Sequence, residues 1–297
     1  MVFLGKILAA VFAWGAYVVL RLAGWKRKTV MANAKHVASP VNYDELLLNL
    51  THHAGELLFC FGTFKKLAHN FSAYPCCVDG WTFDIAEGSA PVLEKMRKGG
   101  IFLTAHYGNY EAMGPWLCRL GIPLVASYIP VKPKWLNNIL ERKIRAVNGR
   151  SYSVDARTPR DFLRILNDGK LFCLLSDQDS RIPSALSGTF LGKPVNVNPL
   201  PDFLLEHRPQ TPVFICWMEE ICGVRVLHAV EVERASFPGA AHLVSPAQSN
   251  GASPAQSSSS IVNTQFNKWL EQRILENPNL WYSWTHRRFY SSSPEIY

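Results

Sequence analysis

Between Ile101 and Glu111 an apolar run stops at a histidine, a glycine follows, and a carboxylate stands five residues beyond the histidine: Ile101-Phe102-Leu103-Thr104-Ala105-His106-Tyr107-Gly108-Asn109-Tyr110-Glu111. The run reads as a buried strand, and Glu111 to Leu120 as the helix after it. On one continuous helix, residues five apart lie about 140° apart around the axis. With a turn at Gly108 between strand and helix, His106 at the strand end and Glu111 in the first helical turn can face each other. Such a pair suits general-base chemistry. The carboxylate fixes the imidazole tautomer and stabilises the imidazolium formed when the histidine takes a proton. The competing reading is a structural histidine at a strand end.

Three further clusters carry chemical weight. Ser176-Asp177-Gln178-Asp179 directly follows an apolar run, Leu171 to Ser176. Polar residues at the C-terminal edge of a parallel sheet lie where such folds bind ligands, and His106 belongs to the same edge. An ordinary acidic turn is the alternative. Arg142, Arg145, Arg150 and Arg157 offer guanidinium groups suited to bidentate phosphate binding. Trp281-Tyr282-Ser283-Trp284-Thr285-His286-Arg287-Arg288-Phe289-Tyr290 interleaves aromatics with cations, as at a membrane interface or the closing edge of a core. The seven cysteines show no CxxC pair and no zinc-like spacing. Cys173 and Cys216 fall in strand-like runs. Cys118, conceivable as a nucleophile for His106, falls in a helix reading Met113, Trp116, Leu117, Leu120 and is expected to pack.

The elements that must position these residues alternate along the chain. Tyr43 to Asn70 reads as one or two helices, and Pro91 to Lys98 as a short one. Pro123 to Tyr128 is a strand, Lys134 to Asn148 a basic helix stopped by Gly149, and Thr158 to Asn167 a helix before the Leu171 strand. Pro201 to His207 is helical, while Pro212 to Met218 and Val224 to Val232 are strands. Ile261 to Leu275 is an amphipathic helix. The pattern predicts an α/β fold around a mainly parallel central sheet flanked by helices. Phe237 to Ser260, built from Ser, Ala, Pro, Gln and Gly, is expected to be a flexible loop.

At 297 residues the chain can bury a full core. Its 48% hydrophobic and 18% charged content leans towards membrane association, and a net charge of +8 suits anionic lipid or an acidic protein partner. No nucleic-acid signature is present: there is no zinc-finger spacing, aromatic RNA-binding motif or long basic run. Ile7 to Leu20 carries no charge, and Lys6 and Arg21 flank it. Along a helix those two lie about 22 Å apart, short of a full span, although both side chains can snorkel to the interfaces. The basic cluster Arg21, Lys26, Arg27, Lys28 on the C-terminal side places the rest of the chain in the cytoplasm by the positive-inside rule. Ala32-Asn33-Ala34 has a cleavage-like pattern but follows the basic cluster, which argues against a signal peptide. A monotopic anchor is the other arrangement open to this segment.

Together these residues resemble the late acyltransferases of lipid A biosynthesis, the lauroyl/myristoyl transferase family, over roughly Met1 to Tyr290. That family carries an N-terminal hydrophobic anchor, an H-x4-D/E motif usually written HFGNWE, a DQD-like motif, an FFGKP-like element and a C-terminal W-x-HRRF. Here they stand as His106 to Glu111, Asp177-Gln178-Asp179, Phe190-Leu191-Gly192-Lys193-Pro194, and Trp284-Thr285-His286-Arg287-Arg288-Phe289. Arg145 with Gly149 looks like the family's R-x3-G element. The H-x4-D/E pattern is shared with glycerophosphate acyltransferases, whereas four motifs in order are specific. The chain departs from the pattern in its Ser/Pro-rich stretch and in Ser180-Arg181 after Asp179.

The resemblance implies a glycerolipid-acyltransferase-like fold of the lysophospholipid-acyltransferase superfamily. It divides the chain into an anchor over residues 1–28, a helical region over 29–90 and an acyltransferase domain over 91–297 that contains the loop at 237–260. It implies transfer of a fatty acyl group from acyl carrier protein, or less often coenzyme A, to a hydroxyl of a phosphorylated glucosamine lipid, at the cytoplasmic face of the inner membrane. His106 and Glu111 would be catalytic. Asn109, Arg145, Asp177, Gln178 and Asp179 would bind substrate, with Arg145 on an acceptor phosphate or helping to shape the site. No metal or cofactor is required. Two other classes fit the same residues: a glycerolipid acyltransferase, and a non-catalytic membrane-anchored lipid-binding protein.

Overall fold

The computed structural model describes residues 2–128, 132–233 and 261–297; the expected Ser/Pro-rich loop lies outside these residues. The chain begins with α1 (Val2–Leu22), α2 (Arg27–Val37), α3 (Tyr43–Phe59) and the single turn α4 (Phe61–Phe64). Next come β1 (Cys76–Val78), β2 (Trp81–Ile85), α5 (Ser89–Met96), β3 (Gly100–Thr104), α6 (Tyr110–Arg119), β4 (Leu124–Ser127) and α7 (Lys134–Ile139). The short strands β5 (Ala146–Val147), β6 (Arg150–Ser151) and β7 (Ser153–Val154) precede α8 (Pro159–Asn167) and β8 (Leu171–Leu175). The chain ends with β9 (Leu186–Phe190), β10 (Lys193–Val197), α9 (Leu200–His207), β11 (Val213–Ile221), β12 (Val224–Glu231) and α10 (Ile261–Glu276).

The fold is α/β. Eight strands form one sheet in the order β1-β2-β12-β11-β3-β8-β4-β7. Every neighbouring pair is parallel except β1/β2 and β11/β12, which are hairpins. Its centre is buried on both faces, which accounts for the continuous apolar runs of β3 and β8. Successive side chains alternate between faces. Ile101 and Leu103 join a core with α2, α3, α10 and the Trp281–Phe289 segment, while Phe102 faces α5 and α6 with Trp116 and Leu117.

The N-terminal 85 residues are not wholly helical. Cys76 to Ile85 forms the hairpin β1–β2, which joins the sheet by parallel pairing of β2 with β12. The expected long basic helix from Lys134 is also broken. It passes into a π-helical turn at Leu140–Ile144, where Arg145 N–H reaches back to the Leu140 carbonyl (2.8 Å), and then into the β5–β6 hairpin. A π-turn shifts the phase of the side chains that follow it, and here it delivers Arg145.

Helix α1 is long and apolar enough to cross a membrane, yet it is docked on α3. The seam is made of small residues. Ala9 and Ala13 are buried, and a Cβ on Gly55 of α3 would stand 2.5 Å from the Ala9 carbonyl oxygen, so only glycine fits there. Both charged ends of α1 are tied to the body. Lys6 donates to the Gly80 carbonyl (2.9 Å) and lies over the Trp81 ring, and Arg21 pairs with Asp44 (2.8 Å). The outward face carries Leu4, Ile7, Leu8, Val11, Trp14, Val18, Val19 and Leu22, all exposed.

Candidate active site

Strand register brings the central pair together. In the parallel pair β3/β8, Phe102 stands opposite Cys173 and Thr104 opposite Leu175. Ser176 N–H continues the ladder to the Thr104 carbonyl (3.1 Å). Two residues further on each chain, on the same face by alternation, come His106 and Asp177. His106 Nδ1 lies 2.8 Å from Asp177 Oδ1. Oδ2 accepts from three donors: the His106 N–H (3.1 Å), the Trp281 indole (2.9 Å) and the Ser283 hydroxyl (2.7 Å).

Asp177 is fully enclosed. Burial alone would raise its pKa, but His106 and the hydrogen bonds from Ser283 and Trp281 outweigh burial and hold the carboxyl far below the usual carboxylate range. For His106, burial acts to lower the pKa. Asp177 beside it, with Glu111 further off, outweighs burial and raises the pKa above the ordinary histidine value. With Nδ1–H committed to Asp177, Nε2 is the basic nitrogen.

The turn after His106 is strapped in place by the backbone. Tyr282 N–H donates to the His106 carbonyl (2.8 Å) and Gly108 N–H to the Leu280 carbonyl (3.0 Å). Gly108 has φ 57°, and a Cβ there would collide with the Met218 carbonyl. The Trp281–Ser283 segment therefore fixes the turn and supplies two of the donors to Asp177.

Glu111 does not occupy the position expected of it. In the first turn of α6 it faces Arg145, with Oε1 2.7 Å from Nη2 and Oε2 3.4 Å from Nε. Arg145 also lies 3.5 Å from Glu141. Burial disfavours the Arg145 charge, but Glu111 outweighs burial and raises the arginine pKa further. The carboxylate behind His106 is Asp177, because adjacent parallel strands place it at hydrogen-bond distance, while the turn sends Glu111 towards the π-turn. Arg145, expected to bind an acceptor phosphate or to help shape the site, has its charge matched by Glu111 and Glu141.

The other sequence candidates divide. Gln178 lines the cavity described below. Asp179 turns to the C-terminal segment and accepts from Arg181 Nε (3.1 Å) and the Ser291 hydroxyl (2.8 Å). Asn109 precedes α6 and donates to Glu56 of α3 (2.8 Å), which also pairs with Arg225. Arg157 is exposed and pairs with Asp155. Cys118 is no nucleophile: burial pushes its thiol up to about 12. Sequence reasoning missed Trp281 and Ser283 as partners of Asp177; of the two places the aromatic-rich C-terminal motif suits, a membrane interface or the closing edge of a core, the structure puts Trp281 and Ser283 in the core.

His106, Glu111, Arg145 and Gln178 stand on the wall of a cavity of about 480 Å³. Its remaining lining is largely apolar, with Phe102, Met113, Leu124, Leu140 and Leu175 among it. A base with a buried carboxylate behind it, opening on an apolar cavity, can deprotonate a hydroxyl next to a bound hydrocarbon chain.

No protein-family model matches the chain, and no curated protein sequence matches it significantly.

Proposed function

We propose that this protein is an O-acyltransferase that moves a fatty acyl group from a carrier-protein thioester to a hydroxyl of a phosphorylated glucosamine lipid. The observation that carries this reading is the His106–Asp177 pair at the rim of an apolar cavity. The order of motifs along the chain supplies the substrate class.

In this reading the acyl chain lies in the cavity and the thioester carbonyl sits at its rim. His106 Nε2 takes the proton of the acceptor hydroxyl as the oxygen attacks the carbonyl carbon. Asp177 stabilises the imidazolium that forms. The tetrahedral oxyanion needs N–H donors, and Gln178 and Arg145 are the amide and guanidinium on the wall. Collapse breaks the C–S bond, and the proton passes from His106 to the departing thiolate. Glu111 keeps Arg145 oriented and offsets its charge.

The protein sits on the cytoplasmic face of the inner membrane in this account, with α1 embedded in one leaflet and not free-standing across the bilayer. The docked seam, the two tied ends and the exposed apolar face support that seat. The test is the mass of membrane glucosamine lipids from cells with and without the protein. A product heavier by one acyl ester only when the protein is present supports the reading; identical lipid profiles, or an acyl gain confined to glycerolipids, would replace it.

A further inference from the structure

Asparagine at the start of a helix ordinarily accepts a hydrogen bond from the turn it opens. Asn109 stands there on α6, with φ −91° and ψ 58°, and its side chain makes no such bond. Its Nδ2 crosses instead to Glu56 Oε2 on α3 (2.8 Å), 53 residues away. A local preference given up for a distant contact is the kind of exception that functional sites make. Glu56 is itself largely buried, and its other oxygen, Oε1, accepts from Arg225 Nη2 of β12. Arg225 is fixed in turn, 3.3 Å from the centre of the Trp81 ring and 3.5 Å from Glu220. One carboxylate therefore joins α3, β12 and the start of α6. A buried ion pair is a weak source of stability, and its best-attested use is to specify an arrangement.

Glu56 is one of three polar residues on a single face of α3. Asn49, His53 and Glu56 follow the i, i+4, i+7 spacing that usually carries an apolar stripe. Each meets the segments around His106. Asn49 donates to the Asn279 carbonyl (3.2 Å), two residues before Trp281. The His53 ring lies between Tyr110 (5.1 Å, centroid to centroid) and Tyr282 (5.6 Å). Both tyrosines touch His106: Tyr110 packs edge-on to its ring at 5.0 Å, and Tyr282 N–H donates to its carbonyl (2.8 Å). Burial pushes the His53 pKa down to about 4, so this ring stays neutral between them. The support is held from outside as well, because Gly55, the neighbour of Glu56, is pressed against Ala9 of α1.

We propose that Glu56 is a positioning residue for His106: through Asn109 it fixes the turn that carries the imidazole, with His53 packed behind the two tyrosines that touch the ring. The His106 ring keeps Nδ1–H on Asp177 only while the residues after it hold their course, and Asn109 is where that turn passes into α6. A site held by such outer contacts keeps its reacting groups in register. Asn109 thus serves the support of the base and not a contact with substrate. This role rests on the function proposed above only in calling His106 the base.

The test uses the full chain in detergent micelles, with nitrogen-15 in its histidine rings, the His106 signals assigned from a His106→Gln sample, and no substrate present. Asn109→Asp separates a helix cap from a tie: aspartate opens a helix as well as asparagine does, but sets a second carboxylate against Glu56. Unprotonated wild-type His106 should show one tautomer, with its proton on Nδ1. Asn109→Asp and Asn109→Ala should both show the averaged signals of two tautomers. Adding Glu56→Gln to Asn109→Asp exchanges the amide and the carboxylate across the same contact and should restore the single tautomer. In acyl transfer, kcat should fall about tenfold in both single variants and recover in the exchanged pair, with the donor KM unchanged. His106 signals unchanged in both single variants would overturn the role, as would disturbed signals that do not recover in an exchanged pair of wild-type melting temperature. Asn109→Ala, which adds no charge, decides the matter if an aspartate variant fails to fold. Unchanged ring signals beside active wild-type protein would remove this role alone. Wild-type protein without transfer would remove the functional reading and leave the ring signals as the measure of this one.

Discussion

Asp177 receives His106 twice, through the ring nitrogen on Oδ1 (2.8 Å) and the backbone N–H on Oδ2 (3.1 Å), so one carboxylate fixes both the imidazole and the turn that carries it. The pair acts as a unit, and changes to either member should show it.

Asp177→Asn retains the shape but replaces an acceptor with an amide that can donate to Nδ1, which favours the tautomer with its proton on Nε2. Turnover should fall by about three to four orders of magnitude, as is typical when a base loses its orienting carboxylate. Glu111→Gln leaves the His106–Asp177 pair intact and should cost less. Single-turnover rates on folded variants compare the two. A larger loss for Glu111→Gln than for Asp177→Asn would return the orienting role to Glu111.

The raised pKa of His106 sets a pH dependence. In the proposed transfer the base works only when unprotonated, so kcat/KM should rise with pH through a midpoint above the ordinary histidine value of about 6.5. Asp177→Asn should move that midpoint down. The same shift has a stability sign. The folded state binds this proton more tightly than the unfolded chain does, so the contribution is complete below the ordinary histidine pKa and fades as pH rises through the raised value. A pH–rate profile with its acid limb below 6.5 would contradict the assignment.

Arg145 and Glu111 form a largely buried fork, with side chains 15% and 17% exposed. Arg145→Ala leaves a carboxylate without its main partner and should destabilise the fold by about 3 kcal/mol. Arg145→Met with Glu111→Gln should recover part of that loss. Denaturant unfolding of wild type, Arg145→Met, Glu111→Gln and the double variant gives the coupling directly. Arg145→Lys should be impaired in transfer, because a single ammonium cannot reproduce two parallel hydrogen bonds.

The outward face of α1 should govern membrane seating. Val11→Glu with Val19→Glu places two charges on that face without touching the Ala9–Gly55 seam. Flotation with vesicles of phosphatidylethanolamine and phosphatidylglycerol should show most of this variant left in the soluble fraction at an unchanged melting temperature. Gly55→Leu, which pushes α1 off α3, should lower the melting temperature as well.

Sequence alone located the long apolar strands, α6, His106 and the acidic motif after β8, because each is signalled by local periodicity. The partner of His106 was not legible. Asp177 stands 71 residues away, and only the adjacency of β3 and β8 makes it the nearest carboxylate. Glu111 was close in sequence, and proximity along the chain said nothing about the direction the turn would take. Short polar hairpins were also lost. Asp79-Gly80, Asn148-Gly149 and Leu191-Gly192 each have positive φ at both residues, as tight hairpin turns require. The first two pairs are strong hairpin signals in the sequence. Asn148-Gly149 reads as a helix end because it follows the basic run from Lys134, and Leu191-Gly192 carries no strong turn signal of its own.

In the proposed function His106 is the base of an acyl transfer to a phosphorylated glucosamine lipid. Its most direct test incubates purified full-length protein with a fatty acyl carrier protein and that acceptor, and follows the lipid product by mass. A gain of one ester-linked acyl chain is expected with wild-type protein, and none above background with a His106→Ala variant of unchanged fold. An acylated product formed equally well by His106→Ala, or no acylated product with wild-type protein and either fatty acyl carrier protein or fatty acyl coenzyme A, would rule this role out.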